Sequence, residues 1–141
     1  FLRTGQVLAA EGGFLAMQRP LFAAGLGGKI GDGRQFVSWI SLADHVRAMD
    51  WLLTSEVTGP VNLVAPNPVT NAAFTRAFGS HLNRPTLLPM PLPLVRLAFT
   101  SEFVDDALLS STRVRPARLL DAGFHFTHAK LGQAFAALGD R

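Results

Sequence analysis

The glycines between residues 25 and 31 have the spacing G-x-x-G-x-x-G, one of the patterns of a phosphate-binding loop. Such a loop holds a dinucleotide pyrophosphate when a strand enters it and a helix leaves it with its N-terminus toward the phosphates. Here the apolar residues Phe14, Leu15 and Phe22 predict a helix before the loop. The β-branched and aromatic residues 36–40 predict a buried strand after it. We therefore reject a dinucleotide site at these glycines and expect a hinge or a substrate loop.

Three other sets of polar side chains have spacings that active sites use, and one further histidine, His81, shows no partner in the sequence. The sets are His125 with His128, the carboxylates of Glu102, Asp105 and Asp106, and the hydroxyls of Ser110, Ser111 and Thr112. The histidine pair lacks a third ligand at a zinc-binding spacing. The carboxylates fit the first turn of a helix, where the helix dipole favours negative charge. The hydroxyls lack the strained turn of a nucleophile. We predict no catalytic, cofactor-binding or metal-binding residue in this chain.

The composition excludes several classes of function. The chain has no cysteine, which excludes disulfides, thiolate zinc sites and thiol catalysis and is typical of cytoplasmic proteins. Its net charge of +3 comes mostly from arginine, and the densest basic group, Arg113, Arg115 and Arg118, is too small for a nucleic-acid surface. No apolar run reaches the ~20 residues that cross a bilayer. We expect a cytoplasmic protein that binds neither nucleic acid nor a membrane.

The balance of apolar and charged residues indicates surface that another polypeptide covers. Apolar residues make up 48% of the chain and charged residues only 16%, which is low for a small free-standing domain. The sequence begins at Phe1 without an initiator methionine or the pattern of a signal peptide. We expect this chain to be a portion of a longer protein, and a homodimer is a further possibility.

Strand and helix patterns alternate along the first part of the chain, which predicts an α/β fold, or an α+β arrangement for a fragment. Residues 2–8 predict the end of a strand, and Ser41 is a suitable N-cap for the next helix. The apolar stripe of that helix, the side that normally faces the core, consists of Val46, Met49, Leu52 and Leu53. Thr70 or Asn71 then caps a helix whose core residues are Phe74, Phe78 and Leu82.

The character of the sequence changes after Arg84, where four prolines within residues 85–93 hold the chain extended. Short helices follow, with a brief strand at residues 124–126 and a last helix lined by Leu131 and Phe135. Phe99, Phe103, Phe124 and Phe126 are expected in the core. We therefore divide the chain into residues 1–84 and a small α/β subdomain of residues 85–141.

The run from Gly31 to Asp44 is more specific than the glycine loop. It resembles a pattern of sugar-nucleotide epimerases and dehydratases, which are extended short-chain dehydrogenases: G-D-G-x-Q-x-R-D-(F/W), a short strand and an acidic residue that opens a helix. The residues that fit are Gly31, Asp32, Gly33, Gln35, Trp39 and Asp44. Val37 and Ser38 stand where that family has Arg and Asp, and the Arg typically holds the substrate phosphate. Arg34 is the candidate substitute because a guanidinium can bind a phosphate with two hydrogen bonds. For Asp44 we prefer a structural role at the helix N-terminus.

Three further motifs extend the resemblance over essentially the whole chain. Residues 3–8 resemble R-T-G-x-V-L, and residues 59–71 resemble G-P-V-N-L-x-A-P-x-P-V-T-N. Residues 113–126 resemble the element R-V-x-P-x-x-L-L-x-x-G-F-x-F. These motifs are typical of epimerase-like proteins that carry a small C-terminal domain of unknown function, DUF1731. Such proteins are described as NAD-dependent epimerase/dehydratases, nucleoside-diphosphate-sugar epimerases or cell-division inhibitors.

The resemblance implies that the chain holds the last strands and helices of a doubly wound Rossmann-type sheet, followed by a substrate-capping subdomain. It implies a substrate cleft lined by residues 25–37, and the candidate substrate-binding residues are Arg34, Gln35 and Val37. NAD or NADP would sit on the missing N-terminal half, and none is predicted for this chain alone. The family's hydride chemistry uses a Tyr paired with a Lys four residues later, and this sequence has no Tyr. The alternative is a non-catalytic binding or regulatory module on the same scaffold.

Overall fold

The computed structural model describes residues 2–109, 111 and 113–138. Within them, strands and helices alternate as far as α3, and short helices follow. The strands are β1 (Leu2–Thr4), β2 (Gln6–Leu8), β3 (Phe36–Val37), β4 (Trp39–Ser41), β5 (Val61–Leu63) and β6 (Val69–Thr70). The helices are α1 (Gly13–Ala23), α2 (Leu42–Leu53), α3 (Asn71–His81), α4 (Leu92–Ala98), α5 (Ser101–Phe103), α6 (Ala117–Asp121) and α7 (Leu131–Leu138), with a π-helix at Val104–Leu109.

The predicted first strand changes partner at Gly5. β1 runs parallel to β5, whereas β2 runs parallel to β4. Gly5 donates its N–H to the carbonyl of Leu63 at 3.1 Å, and the next residue, Gln6, donates to the carbonyl of Ser38 at 2.9 Å. A Cβ at Gly5 would lie 2.7 Å from both the Ser38 carbonyl and a Val64 methyl, so glycine is required where three segments meet.

The predicted strand at residues 36–40 is likewise two strands. β3 pairs antiparallel with β6, and after Ser38 the chain continues as β4 beside β2. A third prediction, the strand at residues 124–126, is wrong because these residues form no ladder. Phe124 is nevertheless buried, and its ring packs edge-on against Trp51 of helix α2 with 5.7 Å between the ring centres.

Two apolar clusters hold the elements together. The larger one lies between α1, α3 and α7, where Phe22 packs on Phe78 at 4.7 Å and Phe78 stacks on Phe135 at 5.6 Å. The smaller one joins Ile40, Leu63 and Leu119 beneath α2. The predicted helix through Phe74, Phe78 and Leu82 is confirmed with all three side chains buried, and Thr70 is its N-cap. The four other phenylalanines expected in the core are buried or pack against these clusters.

Helix α2 begins where the sequence predicted but presents a different side to the core. Ser41 is its N-cap, and the serine Oγ accepts the Asp44 N–H at 3.2 Å. The predicted inward stripe is wrong for most of its members, because Val46, Met49 and Leu53 are 57%, 42% and 84% exposed. The side chains of Asp44 and Ala48 are buried in their place. No helix in the described residues is long and apolar enough to cross a membrane.

Candidate functional site

Gln35 links the glycine loop to the second part of the chain. Its Nε2 donates to the carbonyl of Ile30 at 3.1 Å and to the carbonyl of Leu108 at 3.0 Å. Both protons of the amide are therefore used on backbone oxygens, and the side chain is half-buried. Gln35 is thus a positioning residue in this structure, because it fixes the loop against the end of the π-helix.

The segment that follows Gln35 contacts Ser111, Arg113 and Val114. Phe36 donates its backbone N–H to Ser111 Oγ at 3.0 Å, and Val114 donates its N–H to Ser38 Oγ at 3.0 Å. The Arg113 guanidinium carbon stands 4.9 Å from the centre of the Phe36 ring, which is the geometry of a cation–π contact. The hydroxyl of Ser111 is therefore a structural acceptor, and Arg113 is a functional candidate that its motif alone did not single out.

The other two predicted site residues have contrasting positions. Arg34 is exposed; its backbone N–H bonds to Asp32 Oδ1 at 3.0 Å, and its guanidinium pairs with no carboxylate in the described part of the chain. Val37 is only 6% exposed and belongs to the larger apolar cluster. Arg34 stands two residues before Phe36 in the sequence, and the exposed Arg113 contacts the half-buried Phe36 ring, so this segment carries two exposed arginines. We call Arg34, Phe36 and Arg113 the arginine–phenylalanine group.

The glycine loop is held by contacts that do not suit a dinucleotide. Helix α1 enters it and β3 leaves it, as the sequence predicted. Asn71 Oδ1 accepts the N–H of Ile30 at 2.8 Å, which ties the loop to the start of α3. Gly28 touches residues 85–91, here called the proline segment, so closely that an added Cβ would lie 1.9 Å from the Leu88 carbonyl oxygen. No helix N-terminus in this loop is available for a pyrophosphate.

Asp44 does more than the helix-terminal role that its position indicated. The carboxylate is fully buried and forms an ion pair with Arg47 at 2.7 Å. It also accepts the backbone N–H groups of Thr127 at 3.1 Å and His128 at 2.8 Å. The His128 ring in turn lies 2.8 Å from Ser41 Oγ, measured at Nδ1. This network joins the start of α2 to the loop before α7. Asp44 and His128 therefore have structural roles in it.

The remaining candidates from the sequence do not assemble into a reactive site. Asp105 pairs with Arg96 on the surface at 3.2 Å, and Glu102 is exposed in the first turn of α5. The His81 ring stacks on Phe135 at 5.4 Å. Ser110, Thr112 and the side chain of Asp106 lie outside the described residues. Among the residues that the structure describes, no three potential ligands stand close enough to hold a metal ion.

Comparison with known proteins finds epimerase family relatives along nearly the whole chain. Residues 90–138 match the domain of unknown function DUF1731. The epimerase family protein MT2273 of Mycobacterium tuberculosis (strain CDC 1551 / Oshkosh) is 52% identical over 133 residues, which cover 94% of this chain and 44% of the relative. The human epimerase family protein SDR39U1 is 35% identical over 134 residues and is covered to 45%. The chain therefore spans a little less than half the length of these relatives.

Solved structures of epimerases are also similar to this chain. The human SDR39U1 (isoform 2) structure with NADPH superimposes with a TM-score of 0.86 at 34% identity, over 97% of this chain and 46% of that one. A nucleoside-diphosphate sugar epimerase from Corynebacterium glutamicum gives a TM-score of 0.71 at 32% identity, over 99% of this chain and 26% of that one. The Thermus thermophilus UDP-glucose 4-epimerase complex with NAD gives 0.64 at 17% identity, over 95% and 43%, which shows a common fold.

Proposed function

Because this chain corresponds to the C-terminal part of Rossmann-fold epimerase family proteins, we propose that it forms the substrate side of an NAD(P)-dependent epimerase/dehydratase-like oxidoreductase. In this proposal the chain binds and covers a nucleoside-diphosphate sugar, while hydride transfer depends on residues that lie outside it. The sequence has no Tyr for the family's proton transfer, which makes the chain catalytically incomplete on its own.

The observation that carries the proposal is the arginine–phenylalanine group. The Arg113 guanidinium contacts the Phe36 ring, and Arg34 is a second exposed arginine two residues before that ring. Such a set suits a nucleoside diphosphate, since guanidinium binds phosphate oxygens in pairs and the ring offers a face for a base. Gln35 holds this segment in place through its two backbone hydrogen bonds. Arg34 would make the phosphate contact that the family's Arg makes at the position where this chain has Val37. The buried Val37 would pack beneath the substrate-binding surface.

We infer that the nicotinamide cofactor binds outside the described residues of this chain. The glycine loop lacks a helix N-terminus, and an exposed pair of arginines does not distinguish NAD from NADP. Since the human relative was solved with NADPH, we propose that the intact protein binds NADPH through residues outside this chain. When bound, the cofactor would supply the hydride; the residues described here would orient the sugar and exclude water.

The proposal is tested by titrating the full-length protein with UDP and with NADPH in a calorimeter. Arg34→Met removes a charge-assisted contact to phosphate, so UDP binding should weaken about tenfold while NADPH binding stays unchanged. Arg96→Met is the matched control, because that arginine is exposed, pairs with Asp105 and is not a member of the group. Equal UDP binding by wild type and Arg34→Met would contradict the assignment of the phosphate site.

The alternative is a non-catalytic binding or regulatory module, and residues 37 and 38 favour it. The side chain at position 37 is buried, and Ser38 Oγ accepts the Val114 N–H, so both serve the fold where the family uses charged residues. Failure of the full-length protein to bind NADPH, NADH or UDP, together with binding of a protein partner, would support this alternative.

A further inference from the structure

Two clefts of opposite character lie on the two sides of the proline segment. The apolar cleft has a volume of about 330 Å³ and lies between the end of α1 and the start of α4. Leu26, Leu88 and Leu94 line it, and no charged residue does among those described. The basic cleft has a volume of about 220 Å³ and contains Lys29 and Arg76. Leu87 and Pro89 line both clefts, so the clefts adjoin across the segment.

The leucines of the apolar cleft are unusually open to solvent. Leu87 and Leu88 are 89% and 79% exposed, and Leu26 is 58% exposed. Pro85 and Pro89 flank the leucine pair and fix the backbone φ at their own positions. Contiguous exposed leucines of this kind mark a surface that binds an apolar partner.

The basic cleft has charge without a counter-charge. Neither Lys29 nor Arg76 forms an ion pair with a carboxylate in the part of the chain that the structure describes. No acidic side chain lines the cleft among these residues, and Thr75 and Thr86 contribute to its wall. Two cations that line one cleft favour an anion such as a phosphate or a carboxylate.

The two clefts are fixed relative to each other by backbone contacts. Met90 donates its N–H to the carbonyl of Lys29 at 2.9 Å, and Ile30 forms a parallel bridge with Met90. Gly28 packs directly on the Leu88 carbonyl. The cationic residue and the leucine wall therefore keep one spacing, as a site for a single ligand requires.

We propose that the two clefts form one binding site for an anionic amphiphile, a molecule with a phosphate or carboxylate head and one alkyl or acyl chain. Lys29 and Arg76 bind the head, and the chain crosses Leu87 and lies against Leu26, Leu88 and Leu94. Charge complementarity on one side of the segment and exposed leucines on the other select this class over a simple anion or a neutral lipid. Leu26 and Lys29 fall within residues 25–37, the segment expected to line the substrate cleft, but the site shares no residue with the arginine–phenylalanine group. Failure of this proposal and failure of the proposed function are therefore distinguishable.

The test uses octyl phosphate below its micellar concentration, titrated into the full-length protein in a calorimeter. Inorganic phosphate supplies the head alone, and octyl glucoside supplies the chain with a neutral head. Octyl phosphate should bind at least about tenfold more tightly than either, because only it uses both clefts. Vesicles of phosphatidylglycerol form a fourth arm, which separates a free amphiphile from a bilayer surface.

Two substitutions and two matched controls locate the site. Lys29→Gln and Leu88→Ser should each weaken octyl phosphate binding about fivefold to tenfold. Lys130→Gln removes an exposed lysine elsewhere, and Leu53→Ser removes a leucine that is 84% exposed on α2, so neither should change binding. All four positions are on the surface, and thermal unfolding of each variant verifies that it is folded.

Four results would overturn the proposal. These are no binding of octyl phosphate, equal affinity for inorganic phosphate or octyl glucoside, equal affinity in the Lys29→Gln and Leu88→Ser variants, and binding to vesicles without binding to the monomer. The first result would also follow if the N-terminal part of the intact protein covers the clefts, and it would equally exclude an amphiphile site.

Discussion

The carboxylate of Asp44 accepts a hydrogen bond from the backbone N–H of His128 at 2.8 Å, although 84 residues separate the two in the chain. The same carboxylate bonds to Thr127 and Arg47 and is fully buried. A single side chain at the start of α2 thereby holds the loop that precedes α7. Residues on both sides of the predicted boundary at residue 84 take part in this contact.

Asp44→Ala should destabilise the chain strongly. It leaves two backbone N–H groups without their acceptor and removes the carboxylate that pairs with Arg47, at a cost of about 3 kcal/mol in the free energy of unfolding. Asp50→Ala, an exposed acid on the same helix, should change that free energy by less than about 0.5 kcal/mol. Urea unfolding monitored by circular dichroism measures both. Similar values for the two variants would show that the Asp44 network contributes little.

The contact between Gly28 and the proline segment gives a second prediction. A Cβ at residue 28 would lie 1.9 Å from the Leu88 carbonyl oxygen, so Gly28→Ala must push the two segments apart. Overpacking of this kind costs about 1–3 kcal/mol.

Gly132→Ala is the matched control, since the added methyl would meet nothing within 4 Å in α7. Alanine also suits a helix better than glycine, so this variant should be unchanged or more stable by up to about 1 kcal/mol. Thermal unfolding compares the pair. A Gly28→Ala midpoint equal to that of wild type would mean that the segments adjust freely.

Features that depend on neighbouring residues were the ones that the sequence predicted well. Ser41 and Thr70 are N-caps because their side chains bond to an N–H three residues later, which is a local contact. The core helix with Phe74 and Phe78 follows from its apolar spacing. Both features require no knowledge of the rest of the fold.

Features that depend on distant residues were missed. Gly5 ends one strand pairing and begins another because Ser38 and Val64 converge on it, and neither is near it in sequence. Residues 124–126 have the composition of a strand, but no strand in the described part of the chain pairs with them. Gln35 was a good candidate for a site by its motif, yet its amide serves the carbonyls of Ile30 and Leu108, which only the folded chain brings together.

The outward orientation of α2 gives the last prediction, which compares an exposed leucine on that helix with a buried leucine in β5. Leu53 is 84% exposed, whereas Leu63 in β5 is fully buried in the smaller cluster. Leu63→Ala removes a core side chain and should cost about 2–5 kcal/mol in unfolding free energy. Leu53→Ala should cost less than about 0.5 kcal/mol in this chain. Urea unfolding of the two variants decides between the orientations. A loss of about 2 kcal/mol or more for Leu53→Ala would restore the core-facing stripe that the periodicity of α2 predicts, since an exposed leucine has no such packing to lose.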